Sequence, residues 1–175
     1  MPDAHLIALD WGTSNLRASL LDARGQALET RSAPGGVMAV QGGQFAQALL
    51  ALCADWLAQT NCPLMASGMI GSRQGWREAP YLDAPTSLAQ AARQLVTVPV
   101  PLADGRVERL LHIAPGLRCL DSAGEFDVMR GEETQIWGAD LPANSCCVLP
   151  GTHSKWAWLG EDGAIRHFKT FMTGE

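Results

Sequence analysis

Apolar and polar positions fall into a periodic order from the first residues. Leu6–Leu9 is an apolar run that ends at Asp10, Leu16–Leu21 is a second run, and Gln26–Ser32 a third, more polar one. Turns at Gly12 and at Asp22-Ala-Arg-Gly25 separate them. Short β-favouring runs between glycine turns predict an antiparallel meander with strands over Leu6–Asp10, Leu16–Leu21 and Gln26–Ser32. From Gln44 to Gln59 the period changes: Phe45, Leu49, Leu52, Cys53, Trp56 and Leu57 form the stripe of an amphipathic helix. Pro63–Ser67 predicts a short buried strand running into the glycine-punctuated loop Gly68–Trp76. Thr86–Val96 predicts a second helix, capped by Thr86 or Ser87 and broken by Pro99–Pro101. Val107–Ala114 reads as a strand, Glu132–Ala139 as a short helix, and Cys146–Leu149 as a strand entering Pro150-Gly151-Thr152. Lys155–Leu159 and Ala164–Thr170 form a hairpin around Glu161-Asp-Gly163. A meander followed by alternating helices and strands indicates an α/β domain with a mixed sheet.

Composition narrows the function classes. The chain has 175 residues, 47% of them hydrophobic, enough for one domain with a real core or two small lobes. A net charge of -5 argues against nucleic-acid binding, which normally shows a basic domain. Lys155 and Lys169 are the only lysines, so positive charge is mostly arginine, the residue that grips carboxylates and phosphates bidentately. The five cysteines are odd in number, include the adjacent pair Cys146–Cys147 and form no C-x-x-C. They fit packing thiols in a reducing compartment, hence the cytoplasm, rather than a disulfide framework or a zinc site. The N-terminus lacks a basic region before an apolar one, so it does not read as a signal peptide. No apolar stretch is long enough to span a membrane.

Phosphate chemistry enters through the turns. The chain lacks a P-loop sequence, a G-x-G-x-x-G after a strand and a G-x-S-x-G. Instead Asp10-Trp-Gly-Thr-Ser14 delivers one carboxylate and two hydroxyls at the end of a strand. Gly12 can take a positive φ and lets the backbone approach a ligand closely, the amides and hydroxyls of Thr13 and Ser14 are suited to phosphate oxygens, and Asp10 to Mg²⁺. A capped β-hairpin accounts for the same residues. A second strand-to-turn unit, Pro150-Gly151-Thr152-His153-Ser154-Lys155, either grips the other side of a polyphosphate or is an ordinary hairpin. Between them stands Arg130-Gly131-Glu132-Glu133. Its acids either complement a helix dipole or supply the proton acceptor that phosphoryl transfer needs. Trp11 and Trp76 read as packing anchors, Arg118 and Arg130 as surface arginines. Asp83 is a weaker candidate for sugar hydroxyls.

Four segments taken together, Asp10–Arg17, Ala66–Trp76, Arg130–Gly138 and Leu149–Trp156, resemble the 2-dehydro-3-deoxygalactonokinase family of the sugar kinase/actin/Hsp70 ATPase superfamily. The resemblance implies a ribonuclease-H-like (actin-like ATPase) domain with a mixed β-sheet flanked by helices. It implies a sugar-side kinase domain over residues 1–168. Residues 169–175 would begin the connection to a C-terminal ATP-binding domain of the same polypeptide. It implies transfer of the ATP γ-phosphate to the 6-hydroxyl of 2-dehydro-3-deoxy-D-galactonate, with ATP and Mg²⁺ required and the isolated chain inactive. Glu132 and Asp10 would be catalytic, with Asp10 the metal ligand. Gly12, Thr13, Ser14, Gly151, Thr152 and Ser154 would hold phosphates, and Asn15, Arg17, Ser72, Arg73 and Gln74 the substrate. The resemblance aligns Glu132 with the catalytic Asp of glycerol-kinase-like relatives, and Arg73-Gln74 with their substrate-reading Arg-Glu pair. Gln74 in place of an acid suits an anionic sugar acid, with Arg73 as carboxylate clamp. Alternatives are a superfamily phosphatase acting on polyphosphate or nucleotide, a different carbohydrate kinase, or a non-catalytic sensor domain. Homo-oligomerisation stays open.

Overall fold

The computed structural model describes residues 3–101, 108–121 and 124–174. In chain order it contains β1 (Leu6–Trp11), β2 (Asn15–Leu21), β3 (Ala27–Pro34), α1 (Phe45–Gln59), β4 (Leu64–Ser67) and β5 (Tyr81–Asp83). There follow α2 (Leu88–Ala92), β6 (Val96–Pro101), β7 (Glu108–Ile113), β8 (Gly116–Leu120) and β9 (Phe126–Met129). The chain closes with α3 (Glu132–Gly138), β10 (Cys146–Leu149), β11 (His153–Leu159) and β12 (Ile165–Met172). Two compact units result, Met1–Glu78 with Val96–Ile113, and Ala79–Leu95 with Ala114–Glu175. The span 1–168 expected from sequence covers most of both; residues 169–172 complete β12, and Glu175 lies outside the described residues.

The first unit is a six-stranded sheet in the order β3-β2-β1-β4-β7-β6. β1, β2 and β3 pair antiparallel, β4 and β7 run parallel to β1, and β6 returns antiparallel to β7. This is the mixed α/β sheet expected from the sequence. Alternate residues of β1 and β2, Ile7, Leu9, Trp11, Leu16, Ala18 and Leu20, are buried, as strand periodicity requires. The predicted stripe of α1 buries Phe45, Leu49, Cys53, Trp56 and Leu57. Arg31 of β3 ties the helix down: it donates to both carboxylate oxygens of Asp55 (2.5 and 2.7 Å) and to Glu29 (2.8 Å), and its guanidinium lies 4.2 Å over the Trp56 ring. That partner holds the Asp55 carboxyl down at about 2. Arg109, buried on β7, donates to the carbonyls of Leu57, Thr60 and Cys62 and so satisfies the C-terminal end of α1.

The second helix is shorter than its sequence predicts. Ser87, not Thr86, caps it in a reciprocal capping box with Gln90, and it ends at Ala92. From Val96 the chain is the strand β6, because Val96-Thr-Val98 is β-branched and Pro99 cannot continue a helix. Prolines at 99 and 101 are tolerated there because β6 is an edge strand.

The second unit holds two three-stranded sheets, β5-β8-β9 and β10-β11-β12. Its core is Leu117, Cys119, Met129, Ile136, Ala157, Leu159, Ile165 and Phe168. β5, β8 and β9 have no counterpart in the sequence reading. All five cysteines are free, and Cys53, Cys62 and Cys119 are buried, as packing thiols should be. Burial pushes the Cys53 thiol up to about 12.

Candidate active site

In the first unit, Gly12–Ser14 forms the turn between β1 and β2, closed by the Gly12 N–H on the Asn15 carbonyl (3.0 Å). A second segment backs it. Val37, Met38 and Gly35 donate their amides to the carbonyls of Gly12 (3.0 Å), Thr13 (3.3 Å) and Ser14 (3.3 Å). The turn's carbonyls are thus committed, while the amides of Thr13 and Ser14 have no protein partner among the described residues and both side chains are exposed. Trp11 is fully buried, donates its indole N–H to the Gly35 carbonyl (3.0 Å) and meets Phe45 and Trp76 edge-on at 5.7 and 6.5 Å. Trp11 and Trp76 are therefore the packing anchors expected.

A Cβ on Gly36 would lie 2.2 Å from the Thr13 oxygen and 2.3 Å from the Ser14 nitrogen, both backbone. Gly36→Ala is therefore expected to destabilise the fold by about 1–3 kcal/mol and to shift the amide NMR resonances of Thr13 and Ser14. Gly35→Ala, with open space at its Cβ, should leave both near native. Equal behaviour of the two variants would contradict this packing.

Asp10 sits at the end of β1, directly across from Arg17 on β2, whose Nη1 donates to Oδ2 at 3.2 Å. Oδ1 has no protein partner. Gly68, at φ +93 after β4, lies against this strand end: a Cβ there would stand 2.9 Å from the Trp11 oxygen and 3.7 Å from Asp10 Oδ1. Asn15 and Arg17 are exposed on β2. In the following loop Ser72 is buried with an unpartnered hydroxyl, and Gln74 is exposed. The Arg73 side chain is 84% exposed, and its Nε reaches Glu78 at 3.3 Å.

In the second unit, Gly131 (φ 109) breaks β9 and starts α3. Glu132 Oε2 accepts the Arg130 N–H (2.9 Å), and its other oxygen has no protein partner. Glu133 is buried and takes the Gly131 N–H on both oxygens (2.9 and 2.8 Å). Burial pushes its carboxyl up to about 7, which the Gly131 amide and the Arg130 charge only partly offset. Gly151 and Thr152 are exposed at the turn before β11. Ser154 is buried, its hydroxyl donating to the Phe171 carbonyl at 3.2 Å.

One expectation changes. Arg130 is not a surface arginine: it is 9% exposed, stacks 4.1 Å over Tyr81, donates Nη2 to the Ala79 carbonyl (2.9 Å), and leaves Nε and Nη1 without protein partners. Arg118 is spoken for by a two-point pair with Asp83 (2.6 and 3.2 Å), which holds the Asp83 carboxyl below its usual range. The burial of Glu133 was not legible, since adjacent glutamates give no sequence signal of which one faces inward.

Residues 10–175 match the family profile described as 2-keto-3-deoxy-galactonokinase. The chain is 43% identical over 175 residues to "Probable 2-dehydro-3-deoxygalactonokinase DgoK1" of Rhizobium meliloti (strain 1021), covering 98% of this chain and 54% of that protein. It is 39% identical over 173 residues to the 2-dehydro-3-deoxygalactonokinase of Escherichia coli (strain K12), covering 98% of this chain and 55% of that one. A crystal structure from Sinorhizobium meliloti, put forward as a 2-dehydro-3-deoxygalactonokinase, superposes with a TM-score of 0.81 at 37% identity over 97% of this chain and 54% of that chain. The chain spans about half the length of the curated relatives it matches. By the profile match over nearly its whole length, the chain belongs to the 2-keto-3-deoxy-galactonokinase family.

Proposed function

We propose that the chain is the sugar-side part of an ATP-dependent kinase acting on the 6-hydroxyl of 2-dehydro-3-deoxy-D-galactonate. The observation that carries this reading is the Gly12–Ser14 turn: its carbonyls are tied back by residues 35–38 while two amides and two hydroxyls stay open. Such a turn presents two backbone donors and two hydroxyls free to rotate as donors, an arrangement suited to phosphate oxygens. Gly151 and Thr152 form the second phosphate turn of this reading. Ser154, turned toward Phe171, supports that turn from within.

In the reaction the substrate hydroxyl oxygen bonds to the γ-phosphorus as the bond to the β,γ-bridging oxygen breaks. ADP leaves with that electron pair, and the hydroxyl proton passes to the open oxygen of Glu132. Arg73 meets the substrate carboxylate with a guanidinium held only at Nε. Asn15, Arg17, Ser72 and Gln74 line the substrate side. Asp10 fits a Mg²⁺ ligand: Oδ1 is open, glycine at position 68 keeps the space beside it clear, and Mg²⁺ needs only one or two carboxylates beside phosphate and water. Bound there, the ion would neutralise phosphate charge. No cluster of three ligand-type side chains occurs among the described residues. Adenosine contacts would come from a further domain, as the greater length of the relatives suggests. No helix among the described residues is long and apolar enough to cross a membrane, and the free thiols favour a cytoplasmic setting.

The test is a substrate panel. The full-length polypeptide, with ATP, Mg²⁺ and several 2-dehydro-3-deoxy sugar acids, should release ADP only when the galactonate derivative is present, with the phosphomonoester visible by ³¹P NMR. Phosphate release without any sugar acid would replace the kinase with a phosphatase. Within the same assay Arg73→Ala should raise KM for the sugar acid well above any change for ATP. Equal changes would remove Arg73 as the clamp.

A further inference from the structure

The segment Arg130–Thr134 is held by side chains that reach back onto its own backbone. The Arg130 amide goes to Glu132 Oε2 at 2.9 Å, and the next amide, Gly131, to both oxygens of Glu133 at 2.8 and 2.9 Å. The carbonyl of Gly131 receives the Thr134 hydroxyl at 2.6 Å. Gly131 is therefore fixed at both its amide and its carbonyl, in a φ of 109 that only glycine adopts freely. The direction in which Glu132 leaves the backbone follows from that geometry. Glu133 itself is 1% exposed and has no path to a substrate in this conformation.

We infer that Glu133 is the positioning residue of the proposed reaction: by clamping the Gly131 amide it fixes the backbone from which Glu132 presents its open oxygen. This inference rests on the reading of Glu132 as the proton acceptor. The charged groups acting on Glu133 are Glu132, one residue away, and the guanidinium of Arg130. A carboxyl so buried holds its proton to about pH 7, so it ionises only in the neutral range.

Glutamine at position 133 keeps an acceptor oxygen for Gly131 but cannot ionise, whereas alanine removes the acceptor. In the full-length polypeptide, Glu133→Ala should lower kcat by roughly ten- to a hundredfold, the scale of a small misplacement of a catalytic group. Both KM values should stay within about twofold. Glu133→Gln should recover most of that loss and, if Glu133 ionisation inflects the wild-type kcat near pH 7, remove that inflection. An equal loss in both variants would make the carboxylate itself the reacting group and overturn the inference. So would a wild-type kcat in the alanine variant. If Glu133→Ala does not fold, the glutamine variant decides alone: a kcat within a fewfold of wild type supports the inference, because glutamine keeps the acceptor for Gly131, and a roughly hundredfold loss overturns it. Glu132→Gln separates the two readings: full activity in that variant removes the proton acceptor, whatever position 133 does.

Discussion

Glu132→Gln is expected to lower kcat by ~10²–10⁴ with little change in either KM, the usual weight of a general base. That corresponds to about 3–5 kcal/mol of lost transition-state stabilisation. The substitution is well posed because Glu132 does two separable things. One oxygen accepts the Arg130 N–H, and a glutamine carbonyl retains that bond; the other has no protein partner and is the one replaced by an amide nitrogen. A substantial loss of kcat at an unchanged melting temperature would therefore report the missing proton acceptor alone. Turnover close to wild type would move the role away from this residue. A rise in KM for the sugar acid with kcat intact would make Glu132 a binding group rather than a base.

The largest stability effect is expected at the network of Asp127 and Lys155. Lys155 is 7% exposed, and its ammonium donates to the Val128 carbonyl (2.5 Å) and the Thr170 hydroxyl (2.6 Å), with Asp127 at 3.6 Å. Asp127 in turn accepts from the Thr170 amide (2.6 Å), the Thr170 hydroxyl (2.7 Å) and the Val128 amide (2.8 Å). One cluster thus joins β9 to β11 and β12, across two different sheets. Asp127→Ala strands a buried ammonium and should cost about 3–5 kcal/mol in urea unfolding at pH 7. Asp127→Ala combined with Lys155→Met should cost less than the two single changes summed, since the second removes the stranded charge.

The pH dependence has a definite sign. Burial alone would raise the Asp127 carboxyl, but the donors of Thr170 and the Lys155 charge outweigh it and hold it below the usual carboxylate range. A depressed folded value means the contribution is complete above the unfolded value of about 3.9 and lost as pH falls through the folded one. The wild type should lose stability below pH 4 more steeply than Asp127→Ala. Parallel curves would show that Asp127 contributes no linkage.

The sequence made the sheet of the first unit legible because its strands are short, apolar and cut by glycine turns. β1, β2, α1 and β4 each came within a few residues of their observed bounds. What failed did so for a stated reason. The second helix is expected to reach Val96, but Val96-Thr-Val98 is β-branched, Pro99 cannot continue a helix, and β7 is there to pair with the strand that forms instead. β5 has three residues, and it exists because β8 is there to pair with it. In the candidate site, Asp10 and the Gly12–Ser14 turn were readable because strand end, acid and hydroxyls are contiguous. The inward turn of Arg130 and Glu133 depends on Tyr81, Ala79 and the bend at Gly131. Those contacts carry no local periodicity.

One edge of the large sheet ends in β6, with Pro99 and Pro101 at alternate positions. A strand from another molecule seeking to extend the sheet there would meet two positions that have no N–H to offer. The border that proline makes therefore disfavours strand addition from a second molecule. Replacing both prolines by valine would leave the neighbours in place and expose a docking edge to any free strand.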